Sequence, residues 1–236
     1  MGKIIYYISL PLIYLISISP SWILYGISDV LFFILYRIVG YRKKVVFKNL
    51  KNSFPNKTDK ELKKIEEDYF KYLCDLILET IKTITMDEKY VHKHLTFNNI
   101  DLIDELYANH KSLVIVMGHY GNWEVAGPCF SLNCKHQLNV VYKPLSNVNF
   151  ESLFAKARTK FTTKIIPMKN TLRAMASNRK VLDATALIAD QTPGNLKDGF
   201  WIDFLNQETI VFTGPEKIAK MFNYPVVYMN VDRVKR

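Results

Sequence analysis

From Leu95 onward, short β-branched apolar runs alternate with helical stretches, and this alternation restricts the fold more than any other feature of the chain. Leu113-Val114-Ile115-Val116-Met117, bounded by Ser112 and Gly118, reads as a buried strand. Leu138–Tyr142 reads as a second strand and Lys164–Pro167 as a short third. Ala186–Ala189 is a fourth, ending at Asp190, and Pro225–Met229 a fifth. Thr171–Ser177 has helical spacing, and Pro215 after Thr213-Gly214 marks a helix start running to Phe222. Strands joined through helices run mostly parallel, because the helix returns the chain to the same end of the sheet. The predicted class is therefore α/β, a mostly parallel central sheet flanked by helices, with any site beyond the strand ends.

Two apolar runs precede this region. Ile4–Ile18 is interrupted by Pro11, and Trp22–Val39 carries Asp29 as its one charge before Arg37. At about 1.5 Å per residue the first is short for a bilayer span and the second long enough. Residues 1–40 are thus expected to form a membrane anchor, either one span or a span beside an in-plane helix. The apolar region is too long for a cleaved signal peptide and no small-residue cleavage site follows it. A buried helix pair is the competing reading.

Arg42, Lys43, Lys44, Lys48 and Lys51 follow directly, then Lys57, Lys60, Lys63 and Lys64, within a net charge of +10. A basic run just past an apolar segment places the remainder on the cytoplasmic side and suits anionic lipid headgroups. Residues 41–94 read as a basic amphipathic helical segment. Phe54-Pro55-Asn56 breaks it, and Thr58 with Glu61 forms a capping box. Leu62, Ile65, Tyr69, Leu73, Leu76, Ile81 and Ile84 then recur at helical spacing to about Thr85, a face expected to pack on the α/β domain. Glu79 on that helix is read as structural. Residues 95–236 are the α/β domain. Cys74, Cys129 and Cys134 make no paired framework, as expected for a reduced, cytoplasm-facing protein.

The chemistry concentrates after the first strand, in Gly118-His119-Tyr120-Gly121-Asn122-Trp123-Glu124. Asn122 is a candidate helix N-cap and Glu124 falls in the first turn, where a carboxylate is favoured. A His at a strand mouth with a carboxylate five positions on can fold back into a His119–Glu124 pair, a base with an orienting partner. The spacing is not that of a His-Glu-x-x-His metal site, and neither Cys nor a second His is close, so no metal is expected. Other strand ends carry Lys143, Asp190, Gln191 and Arg233, and Arg158 lies in a basic segment. Together they suggest a cleft holding a base and several cations.

This block resembles the first motif of the bacterial lipid A biosynthesis (late, or secondary) acyltransferases, within the glycerolipid acyltransferase superfamily marked by a His, four residues and an acid. The resemblance extends over nearly the whole chain: Asn49-Leu50, Phe54-Pro55, Val141-Tyr142-Lys143-Pro144-Leu145, Arg158, Ala189-Asp190-Gln191, Thr213-Gly214 and Tyr224-Pro225-Val226-Val227. It implies transfer of a fatty acyl chain from acyl-acyl carrier protein, or acyl-CoA, to a glycolipid hydroxyl at the cytoplasmic face of the inner membrane, without a cofactor. In this role His119 is the base, Glu124 orients it, and Asn122, Lys143, Arg158, Asp190 and Gln191 bind substrate, with Asp190 expected to position Arg158 or the acceptor. The family usually has Tyr-Arg-Pro where this chain has Tyr142-Lys143-Pro144, which keeps the charge and loses the bidentate fork. Family members also run on past the strand at Val226, so the α/β domain is expected to lack its usual C-terminal end. Alternatives are another glycolipid, aminolipid or lysophospholipid acceptor, or a non-catalytic membrane-tethered lipid-binding homologue. Nucleic acid is not an expected partner, since no recognition motif is present and the basic residues cluster beside the apolar anchor.

Overall fold

The computed structural model describes residues 2–194, 196 and 199–236. Helix α1 (Gly2–Ile18) is followed by a break at Ser19-Pro20, where Pro20 sets the extended backbone that starts α2 (Ser21–Phe32). Helix α2 continues as a π-helical stretch, Phe33–Val39, which Gly40 ends in the left-handed conformation at φ +65°. Ser21–Val39 is long and apolar enough to cross a membrane. Helices α3 (Lys43–Ser53) and α4 (Asp59–Lys82) come next, and the capping box of Thr58 and Glu61 forms as predicted. The apolar face of α4, expected to pack on the α/β layer, is taken mainly by α1, α2 and α3. Two carboxylates of α4 are buried. Glu66 accepts from the Tyr36 hydroxyl, and Asp75 accepts from Ser28 and pairs with Arg233.

Short helices α5 (Glu88–His94) and α6 (Ile100–Ala108) lead into the sheet. The order in sequence is β1 (Leu113–Met117), α7 (Trp123–Asn133), β2 (Gln137–Tyr142), α8 (Val148–Arg158), β3 (Lys164–Pro167), α9 (Thr171–Ser177) and β4 (Asp183–Ile188). The hairpin β5 (Gly199–Phe204) and β6 (Gln207–Phe212), helix α10 (Gly214–Phe222) and β7 (Val226–Tyr228) complete it. The five strands of the main sheet are parallel, in the order β3-β2-β4-β1-β7. Side chains alternate across β1, so Leu113 and Ile115 pack with Ile103, Phe130 and Leu138, while Val114 packs on the other face with Met175 and Ala219. Helices therefore cover both faces, which is why these strands read as continuous apolar runs.

Within the α/β domain, two elements differ from expectation. Strand β4 begins at Asp183, three residues before the predicted start at Ala186. The antiparallel hairpin β5–β6 was not expected, and Leu205 and Asn206 form its turn with φ of +51° and +60°, the geometry of a tight hairpin turn.

Candidate active site

Strands β1 and β4 are neighbours, with Met117 opposite Ile188, and Ala189 N–H donates to the Met117 carbonyl at 3.0 Å. Two residues beyond each strand, the same register sets His119 beside Asp190. One carboxylate oxygen of Asp190 accepts the His119 backbone N–H at 2.6 Å and the other lies 2.7 Å from Nδ1. Asp190 is thus held by both oxygens to one residue. A carboxylate accepts only, so Nδ1 carries the proton and Nε2 is left as the basic nitrogen. The Gln191 amide nitrogen lies 3.4 Å from Nε2, and the ring stands edge-on to Trp123 at 4.7 Å. Gly118 makes room for this arrangement, because a Cβ there would sit 3.1 Å from an Asp190 oxygen.

Glu124 does not serve His119 here. From the first turn of α7 it faces the C-terminal end of α8, where Arg158 donates to it through Nε at 3.0 Å and Nη2 at 2.6 Å. The expected pairs are therefore exchanged: Asp190 takes the histidine and Glu124 takes the arginine. The physical reason is topological. Asp190 rises from the strand next to β1 in register with His119, whereas Glu124 points off a helix toward the next helix. The Glu124 hydrogen bond holds the Arg158 guanidinium above its ordinary value against the opposing effect of burial. The fork uses Nε and Nη2, and the other guanidinium N–H groups make no hydrogen bond to a described residue.

Asn122 makes no side-chain cap on α7. Its Nδ2 donates instead to Glu79 at 2.8 Å, and the second Glu79 oxygen accepts from the Tyr25 hydroxyl at 2.9 Å. This chain ties the motif to α4 and to the apolar helix α2. Neither Tyr25 nor Asp75 was singled out from sequence. The available signal was two acids, Asp75 and Glu79, one turn apart in the apolar C-terminal half of α4. Arg233, expected at a strand end, turns away from the site to Asp75 at 2.8 Å, alongside Arg236. Lys143 follows β2 on the same edge of the sheet, exposed and without an ion pair to a described residue. Gly121 has φ +66°, and a Cβ there would lie 1.8 Å from the Val231 carbonyl oxygen, so the chain after β7 crosses directly over the motif. Among the described residues no group of three or more His, Cys, Asp or Glu is arranged to hold a metal ion.

A parallel α/β sheet carries a partly exposed, carboxylate-oriented imidazole at its C-terminal edge, an arrangement chemically able to take a proton from a substrate group. The Arg158–Glu124 ion pair joins the first turn of α7 to the end of α8, orienting the guanidinium without adding net charge. The chain belongs to the bacterial lipid A biosynthesis acyltransferase family, whose family model matches residues 2–236. A comparison with individually curated proteins returns no match.

Proposed function

We propose that this protein is a membrane-bound O-acyltransferase that moves a fatty acyl chain from acyl-acyl carrier protein to a hydroxyl of a lipid A precursor. The observation that carries the reading is the His119–Asp190 pair, its two side chains partly exposed, in a chain of this family. An alcohol has a pKa far above neutrality, so its attack on a thioester needs a base already in place. His119 Nε2 takes the hydroxyl proton as the oxygen bonds to the thioester carbonyl carbon. Asp190 keeps the ring in the reactive tautomer and offsets the imidazolium charge. The carbonyl oxygen becomes an oxyanion, stabilised by the remaining Arg158 N–H groups or by backbone N–H groups of the Gly118–Asn122 turn. Each such donor is worth about 3 kcal/mol. Collapse breaks the C–S bond, and the departing thiolate takes the proton back from His119. Both substrates are held at once, so no acyl-enzyme forms.

Helix α2 supports a location at the bilayer, and the lysines of α3 behind it support a cytoplasm-facing domain at the inner membrane. The same basic surface suits an acidic carrier protein and a phosphorylated glycolipid. Glu124 positions Arg158, and Lys143, Asn122 and Gln191 line the acceptor side in this reading. The test incubates membranes holding the protein with acyl-acyl carrier protein donors of several chain lengths and a lipid A precursor, read by mass spectrometry. The expected result is a precursor heavier by one acyl chain. Consumption of donor with no mass gain on the precursor sinks the proposed acceptor.

A further inference from the structure

The hairpin β5–β6 pairs with no strand of the parallel sheet. Its outer strand is exposed along nearly its whole length, and beside Asp203 the side chains it exposes are large and apolar, among them Phe200 63%, Trp201 58% and Phe204 55%, with Leu205 in the turn. Side chains alternate along a strand, so Phe200 and Phe204 project from one face of the hairpin and Trp201 from the other. An exposed apolar edge of this kind marks a contact surface.

The hairpin turn is fastened to α3. Asn52 Nδ2 donates to Gln207 Oε1 at 3.0 Å, Asn206 Nδ2 to the Ser53 carbonyl at 3.3 Å, and Gln207 Nε2 to Ser53 Oγ at 3.4 Å. Helix α3 starts three residues after Gly40, which closes the apolar stretch Ser21–Val39, and carries Lys43, Lys44, Lys48 and Lys51. If Ser21–Val39 enters a bilayer, chain connectivity brings the lysines of α3 to headgroup level, and the hairpin bonded to the end of α3 comes with them. Aromatic rings beside cations are the chemistry of that layer, with rings among the glycerol and upper acyl groups and ammonium groups on the phosphates.

We propose that β5–β6 is a second membrane contact, inserting Phe200, Trp201 and Phe204 into the interfacial layer of an anionic bilayer beside α2. The proposal rests on the membrane reading given above. A bilayer is the occupant that fits because the hairpin is bonded to the end of the lysine-bearing helix that directly follows the apolar stretch Ser21–Val39. The consequence is that the sheet is tethered at two separated points, which fixes its orientation to the lipid surface.

Single-tryptophan forms of the full chain test this. One keeps Trp201 (Trp22→Phe, Trp123→Phe) and the other keeps Trp22 in α2 (Trp123→Phe, Trp201→Phe). Each is reconstituted into vesicles of phosphatidylcholine and phosphatidylglycerol whose acyl chains are brominated at a shallow or a deep position. Circular dichroism verifies that both forms fold. The expected result is that both tryptophans lose emission to brominated lipid, Trp201 more strongly to the shallow bromines. If Trp22 is quenched while Trp201 stays insensitive to bromine and open to aqueous iodide, the hairpin proposal is overturned and the membrane reading survives. If neither is quenched, both fall. Shielding of Trp201 from iodide in detergent that grows with protein concentration assigns the surface to a second copy and also overturns the proposal.

Discussion

The two edges of the parallel sheet carry the same residue types in opposite circumstances. At the C-terminal edge His119 and Asp190 face each other with side chains 33% and 44% exposed. At the N-terminal edge His136 precedes β2 and Asp183 opens β4, and these residues are 3% and 1% exposed. His136 Nε2 lies 2.9 Å from the Lys111 carbonyl, and its Nδ1 has no hydrogen-bond partner among the described residues. Asp183 accepts from Asn139 Nδ2 at 2.7 Å through one oxygen, and the other has no hydrogen-bond partner among the described residues. Burial pushes His136 below and Asp183 above its ordinary pKa, each toward its uncharged form. A His and an Asp thus suit proton transfer only where they meet each other with access to a substrate. Where they are buried apart, they are structural. Variants at the first edge should change turnover and spare stability, and variants at the second should do the reverse.

The largest expected effect is at His119. Replacement by alanine removes the base and should lower kcat by about 10²- to 10⁴-fold, the range of general-base catalysis. The side chain is partly open, so thermal stability should move by no more than about 0.5 kcal/mol. Acyl transfer at the native rate by His119→Ala would remove the base from the C-terminal edge altogether.

Next come the two carboxylates, whose roles the structure separates. Asp190→Asn keeps the shape but removes the charge that fixes the tautomer, and a fall in kcat of about 10²-fold is expected. Glu124→Gln disturbs Arg158 and leaves His119 in place, so its cost should fall more on KM, with kcat lowered about tenfold or less. Steady-state kinetics on the two variants decide the matter. If Glu124→Gln costs more kcat than Asp190→Asn, His119 depends on Glu124 and the observed pairing is not the working one.

That contrast also shows where the sequence stops being legible. The strand before the motif, the histidine and the capping box of α4 are local, and short-range spacing is enough to find them. The partner of His119 is not local. Asp190 lies 71 residues away and becomes a neighbour only because the crossover after β3 returns β4 to a place between β2 and β1. Spacing alone favours Glu124, which is near in sequence but bound to a different element. Asn122 follows the same pattern, looking like a helix cap but bonding to Glu79, 43 residues earlier. The start of β4 was obscured because Asp183 and Thr185 are polar residues inside a strand, and Asp183 meets its partner Asn139 only across the sheet. The hairpin was obscured because Phe200-Trp201-Ile202 in β5 is an unbroken apolar run without alternation, and its Leu205-Asn206 turn lacks the usual glycine.

At the N-terminal edge the larger effect should come from Asp183. Its folded pKa is raised, so the folded state holds a proton that the unfolded chain releases near pH 4, at about the ordinary carboxylate value. Stability from this group is complete below that value and is lost as the pH rises through the raised one. Asp183→Asn removes the buried charge while keeping a side chain of the same shape. At pH 7 the variant should gain about 1 kcal/mol, a rise in Tm of a few degrees for a chain of this size, with kcat unchanged. A lower Tm at pH 7 would mean that the ionised carboxylate contributes to the fold.

The smallest effect, and the one that isolates this edge best, concerns His136. Burial lowers its pKa, opposed by the Lys111 carbonyl and by the charge of Asp104. The unfolded chain takes up a proton near pH 6.5 that the folded chain refuses, so stability from this group is present above about pH 6.5 and is lost as the pH falls through it. One proton sets the slope at no more than about 1.4 kcal/mol per pH unit. His136→Gln retains an N–H able to reach the Lys111 carbonyl and cannot titrate. Urea denaturation between pH 7.5 and pH 5 should therefore give a shallower fall in stability for the variant than for the native chain, with the two curves closest at pH 7.5. His119 is untouched in this variant, so the pH profile of kcat should match the native profile while the stability curve changes. Equal stability slopes would show that His136 protonates as readily folded as unfolded, and the distinction between the two edges would then rest on exposure without titration.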